Sequence, residues 1–367
     1  MNEPAPRPEG LPHGPSTLPP DVPDLIGRAE ELGAIVATAR AATAGRPAHG
    51  GTVVIDGMPG VGKTALTIRA ARELAGDYRD AQLFLDMGSH ADHGAVMSPA
   101  AALGHLLTVL GVPADDIPAG LGERAAFWRA RLRTRRAVIV LDDVLSSAQI
   151  RPLLPDTTNC LVLINSRHRL AGLDEVRTVS LDVLTAEQGR SLFARALGDE
   201  RAADEPLAVS TVVRLCGGLP LAILIAAARL RHRPGWRVTD LADRLADGDR
   251  LLDLLRAEDR SVSSALLSSY ARLTTELRRF FRSLGEMAGD RIDLAAAAAL
   301  TGVPENRAEQ ALDALADRHF VEPAEPGSYR VHGLVRAYAR ALAHGALTRM
   351  WPVEPFEQYA RERGGAA

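Results

Sequence analysis

The run Gly57-Met58-Pro59-Gly60-Val61-Gly62-Lys63-Thr64 limits what this chain can fold into more than any other feature. It fits G-x-x-x-x-G-K-[ST]. It follows an apolar stretch at 52–55 that reads as a buried strand, and it precedes residues 65–71, which read as a helix. A strand, a glycine-rich loop and a helix in that order form a P-loop. The glycines let the backbone wrap closely and aim its N–H groups at phosphate oxygens. The helix N-terminus adds partial positive charge there. The expected phosphate cradle is therefore Gly57, Pro59, Gly60, Val61, Gly62, Lys63, Thr64 and Ala65. Lys63 would reach the β- and γ-phosphates, and Thr64 would place its hydroxyl on Mg²⁺.

The surroundings support an α/β fold. Apolar strand patterns occur at 52–55, 81–86, 137–142, 160–165 and 177–181, with helical patterns at 30–44, 63–75, 99–110 and 123–134. Such alternation predicts a parallel sheet with helices on both faces. Ligands of such sheets sit at the C-terminal strand ends. The strand at 137–142 ends in Asp142-Asp143, a Walker B pattern. Asp142 is the expected Mg²⁺ carboxylate, since hard cations take oxygen ligands. Asp143 is the expected general base for an attacking water. Arg167, two residues beyond the strand at 160–165, is placed to reach a γ-phosphate. The arginines of 123–136 admit a nucleic-acid patch, but a solvated helix face is the stronger reading.

Five segments are predicted. Residues 1–23, crowded with proline, are expected to be disordered or polyproline-like. Residues 24–182 form the P-loop domain and 183–258 a helical domain. Within the latter, Thr185 caps a helix running to Leu197, and Pro220 opens another. Residues 259–347 read as helix, turn, helix and a β-hairpin, a winged-helix domain. Residues 348–367 are a tail.

Net charge is −3, and the two cysteines, Cys160 and Cys216, sit in apolar surroundings. That balance argues against an overall nucleic-acid footprint. The cysteines read as reduced core residues. No apolar run reaches the ~20 residues a membrane span needs, so a cytoplasmic location without membrane contact is expected.

Asp24-Leu25-Ile26-Gly27-Arg28, the P-loop, the Asp142-Asp143 pair, Asn165-Ser166-Arg167, Gly218-Leu219-Pro220-Leu221 and Arg330–Arg336 occur in one order. In that order they closely resemble the NB-ARC module of STAND-class, AAA+-related switch ATPases. The likeness covers about residues 24–345. It is greatest to the ATPase core of the large Streptomyces antibiotic regulatory proteins. The resemblance implies ADP/ATP and Mg²⁺ as ligands, slow hydrolysis and a switching role in transcription or secondary metabolism. It implies that Ile26, Gly27 and Arg28 line adenine, that Arg167 is the sensor arginine, that Pro220 packs on the nucleoside, and that His332 contacts the ADP β-phosphate. Gly333 stands where the family carries aspartate. The resemblance also implies a protein partner, or self-association in the ATP state. A phosphotransferase with steady turnover is one alternative. A DNA-binding regulator acting through residues 304–319 is another, opposed by the acidic character of that helix.

Overall fold

A computed structural model describes residues 14–22, 25–43, 51–88, 96–248, 250–258 and 260–345. The chain divides into two compact units, residues 1–192 and 193–367. The predicted tail at 348–367 lies outside the described residues.

The first unit contains α1 (Ala29–Thr43), β1 (Thr52–Gly57), α2 (Lys63–Glu73), β2 (Ala81–Asp86), α3 (Pro99–Val109), α4 (Leu121–Leu132), β3 (Ala137–Val144), α5 (Ser147–Ile150), β4 (Leu161–Ser166) and β5 (Arg177–Leu181). It leads into α6 (Ala186–Leu197). The five strands form a sheet in the order β2-β3-β4-β1-β5, with every pairing parallel. The central strands β1 and β4 are buried at every position. This is why they read as unbroken apolar runs rather than alternating ones. Trp128 of α4 is fully buried, and its indole N–H donates to the Leu153 carbonyl at 2.8 Å.

The arginines of α4 serve packing. Arg124 donates to the carbonyls of Ala100 and Pro118, and Arg129 to that of Leu154. Arg131 lies over the Phe127 ring. Cys160 and Cys216 are buried free thiols, and burial pushes the former up to about 11.

The expected disorder of residues 1–23 does not hold for residues 14–22. Residues 1–13, 23 and 24 lie outside the description. Ser16 bridges Gln82 in parallel. Thr17 N–H donates to the Gln82 carbonyl at 2.9 Å, and Gln82 N–H donates to the Pro15 carbonyl at 3.0 Å. Arg69 pairs with Asp21 at 2.9 Å. Proline cannot donate to a ladder but keeps its carbonyl, and its fixed φ suits extended backbone at a sheet edge. A proline-rich composition is therefore compatible with an ordered strap on β2.

The second unit opens with helices: α7 (Asp199–Ala203), α8 (Pro206–Leu215), α9 (Pro220–Arg231), α10 (Val238–Ala246) and α11 (Leu251–Leu254). Pro220 occupies the first turn of α9, where its missing N–H is not needed. Next come a two-residue pair, β6 (Arg256–Ala257) with β7 (Arg260–Ser261), then α12 (Val262–Tyr270) and α13 (Thr275–Ser283). The remainder is β8 (Arg291–Asp293), α14 (Leu294–Thr301), α15 (Glu305–Ala316), β9 (Val321–Glu325), β10 (Ser328–Val331) and α16 (Gly333–Ala343). The expected hairpin is present as β9 and β10. A third strand, β8, pairs antiparallel with β10. Tyr270, Phe281, Phe320 and Tyr338 pack ring against ring at its core.

Candidate phosphate-binding site

Gly57, Gly60 and Gly62 all adopt positive φ, as the loop between β1 and α2 requires. Lys63, the first residue of α2, folds back onto this loop. Its Nζ donates to the carbonyls of Gly57 at 2.7 Å and Met58 at 3.0 Å. Burial, with Arg167 as a like-charged neighbour, lowers its pKa from 10.5 to about 7.

Thr64 Oγ1 donates to Asp142, with the two carboxylate oxygens at 3.0 and 3.1 Å. The hydroxyl and the carboxylate expected to share Mg²⁺ are thus already together, 78 residues apart in sequence. This all-oxygen pair suits a hard cation that keeps waters and phosphate oxygens as its other ligands. Burial raises the Asp142 carboxyl, while hydrogen bonds from Asn165 and Thr64 oppose the rise. Asp143 lies at φ 56, within a register break of β3 between Leu141 and Val144. Aspartate tolerates this left-handed conformation better than most residues. The turn sends the Asp143 side chain to Arg167, 3.7 Å away, with both groups largely buried. The expected sensor arginine and expected general base therefore form a pair beside Asp142.

Sequence reasoning assigned no role to Asn165 or Thr67. Asn165 Nδ2 donates to Asp142 at 2.7 Å, and Thr67 donates to Asn165 Oδ1 at 2.5 Å. The available signal was a buried amide closing an apolar strand, which demands polar partners.

Arg28, expected to line adenine, is only 5% exposed and is engaged with the protein. Its guanidinium donates to the Val61 carbonyl at 3.1 Å, to the Asp182 carbonyl at 2.7 Å and to Glu31 at 2.9 Å. It ties the P-loop to the chain leaving β5. Ile26 and Gly27 form the turn before it.

Pro220 and His332 belong to the second unit. Leu334 N–H donates to His332 Nδ1 at 3.2 Å, so Nδ1 is the acceptor. The proton on Nε2 then donates to the Gly217 carbonyl at 2.9 Å. His332 is thereby linked to the turn that precedes Pro220. Gly217 lies at φ +61, and a Cβ there would stand 2.4 Å from the imidazole.

The sequence also matches the NB-ARC domain model over residues 45–202, which includes the P-loop, Asp142, Asp143 and Arg167. The chain carries an NB-ARC domain. The chain is 43% identical over 345 residues to the regulatory protein AfsR of Streptomyces griseus, covering 93% of this chain and 34% of that protein. It is 41% identical over 335 residues to AfsR of Streptomyces coelicolor, covering 90% and 33%. It thus spans about a third of the length of these relatives. Among solved structures, the Walker-type ATPase of Pyrococcus abyssi aligns with a TM-score of 0.58 at 12% identity, over 87% of this chain and 97% of that one. The Aeropyrum pernix ORC2 protein aligns with a TM-score of 0.53 at 12% identity, over 89% and 96%. These two likenesses are of fold. Among the described residues, no helix is long and apolar enough to cross a membrane.

The lysine geometry of the NB-ARC domain sets a pH dependence. With a pKa near 7, Lys63 is mostly neutral above pH 7 in the nucleotide-free protein. Phosphate oxygens favour its charged form, so binding takes up a proton. Nucleotide affinity should fall as pH rises from 8 to 9, by up to about tenfold per pH unit. Calorimetry in two buffers of different ionisation enthalpy measures the uptake. Without nucleotide the sign concerns stability alone: the lowered lysine pKa destabilises the fold below pH 7, and the penalty lifts as pH rises toward 10.5.

Proposed function

We propose that this chain is the core of a nucleotide-controlled regulatory switch that binds ADP or ATP with Mg²⁺ and hydrolyses ATP slowly. The reading rests chiefly on the Thr64–Asp142 hydrogen bond, which assembles a hydroxyl and a carboxylate beside the P-loop lysine. Backbone N–H groups from Gly60 to Ala65 would hold the phosphates, and Lys63 would turn from its carbonyl partners to them. Thr64 and Asp142 would hold the metal, which screens phosphate charge. Asp143 would orient a water, and Arg167 would leave Asp143 for the γ-phosphate when ATP replaces ADP. The nucleotide contacts of Pro220 and His332 are part of this proposal and rest on the family resemblance.

We take residues 259–347 as a winged-helix module working within the switch rather than as a DNA reader. Glu305, Glu309 and Asp313, at four-residue intervals on α15, are exposed. Such a face repels a phosphate backbone. Control of transcription would then pass through a protein partner or self-association, in keeping with the regulatory names of the AfsR relatives.

The test is mass-spectrometric identification of nucleotide released from natively purified protein, with thermal shifts in ADP and ATP with Mg²⁺. Bound adenine nucleotide and a shift of several degrees are expected. An empty protein that shows no shift at millimolar adenine nucleotide defeats the reading.

Gly333, the first residue of α16, has nothing within 4 Å of a Cβ placed on it. Gly333→Asp should stabilise the protein by about 0.5–1 kcal/mol, because a carboxylate there meets the positive helix end and the unfolded chain loses freedom. Urea unfolding without nucleotide measures it.

A further inference from the structure

Gln188 is the third residue of α6, and it closes a reciprocal cap with Thr185. Gln188 N–H donates to Thr185 Oγ1 at 3.3 Å, while Thr185 N–H donates to Gln188 Oε1 at 3.0 Å. The backbone donor fixes the amide orientation: oxygen faces Thr185, and Nε2 with its two hydrogens faces away. No hydrogen bond within the described residues engages Nε2.

The side chain also lies flat on Gly27. A Cβ on Gly27, which has φ +72, would stand 2.6 Å from Gln188 Cδ and 2.8 Å from Cγ. Only glycine leaves room for the amide here. The next residue, Arg28, is fastened to the P-loop at Val61 and to Asp182, three residues before Thr185. Gly27, the P-loop and the start of α6 thus form one corner of the first unit, with a fixed amide donor on it.

A nucleotide whose phosphates occupy the P-loop must place its base beside the loop. Adenine offers ring-nitrogen acceptors, among them N1. Guanine offers an N1–H donor and a 2-amino donor on the corresponding edge. A fixed N–H donor accepts the first pattern and opposes the second. We propose that Gln188 reads the base at this site, donating from Nε2 to adenine N1, the ring position at which guanine carries a donor N–H, and so disfavouring guanine. The proposal rests on the nucleotide-binding function proposed above and names a specificity determinant for it.

Gln188→Glu is the informative substitution, because glutamate fills this position of the cap equally well and has nearly the same volume. It replaces only the outward NH₂ by a carboxylate oxygen. ADP and GDP affinities are to be measured on the full chain by calorimetry, with the nucleotide-free melting temperature as a control for the cap. Wild-type protein should prefer ADP by at least tenfold. In the variant, with its melting temperature unchanged, that preference should shrink by at least tenfold, as ADP weakens more than GDP. Because the new charge also repels phosphates, the ratio is the readout. A preference equal to wild type, even with both ligands weakened, overturns the assignment. Wild-type protein that binds ADP and GDP equally also overturns it but leaves the nucleotide site standing. Wild-type protein that binds neither defeats the underlying function, and the assignment with it.

Discussion

Lys63→Ala should lower ADP affinity by at least about 100-fold and remove the thermal stabilisation that ADP confers. A charge-assisted hydrogen bond contributes about 1.5–3 kcal/mol, and Lys63 is expected to make one to each of two phosphates. In the nucleotide-free protein its Nζ donates to the Gly57 and Met58 carbonyls, so the wild-type loop holds in place, before any ligand arrives, the amine that phosphate would convert to a cation. Alanine removes that amine without altering the positive-φ glycines of the loop. The nucleotide-free fold should change by no more than about 1 kcal/mol, since the lost hydrogen bonds are offset by relief of burying an amine. For wild type, ADP at 100 times its dissociation constant adds about 2.7 kcal/mol. Scanning fluorimetry with and without ADP separates the two effects. A melting shift equal to that of wild type would take Lys63 out of the site.

Arg28→Ala should destabilise the first unit by about 3 kcal/mol. The guanidinium is buried and satisfies the Val61 and Asp182 carbonyls together with the Glu31 carboxylate. Removing it leaves these acceptors without their donor and opens a cavity, a combination at the severe end of single substitutions. Arg28→Lys should recover only part of the loss, because one ammonium cannot reproduce a planar fork spanning two carbonyls. Urea denaturation followed through Trp128, buried in the same unit, reports the change. Stability within 0.5 kcal/mol of wild type for Arg28→Ala would show that the P-loop does not depend on this brace.

The contrast between Lys63 and Arg28 shows what the sequence made legible. Lys63 sits within a motif whose spacing dictates its backbone, so its location could be read directly. The buried strands could be read for a similar reason, since β1, β3 and β4 are apolar runs that only a covered parallel sheet explains. The cap at Thr185 was legible because its chemistry is local. Arg28 could be placed near the P-loop from sequence, but the partners of its side chain could not. Sequence does not reveal whether a long cation turns to a ligand or to carbonyls 33 and 154 residues away. Asn165 escaped notice as a site residue because its partners, Asp142 and Thr67, lie on separate elements. The three residues of β8 do not read as a strand in the sequence. They are too few to show a period, and pairing with β10 decides their state. The strap at residues 14–22 was misjudged because proline content was equated with lack of order.

That strap governs how the sheet meets other molecules. Without it, the outer margin of β2 would present a row of unsatisfied amides and carbonyls, open to strand addition by any extended polypeptide. Pro15 and Thr17 occupy the Gln82 amide and carbonyl, and the Thr17 hydroxyl accepts from the Phe84 N–H, all from within the same chain. The domain thereby gains a terminator on that side, and copies of it can crowd together without zipping into a continuous ribbon along β2.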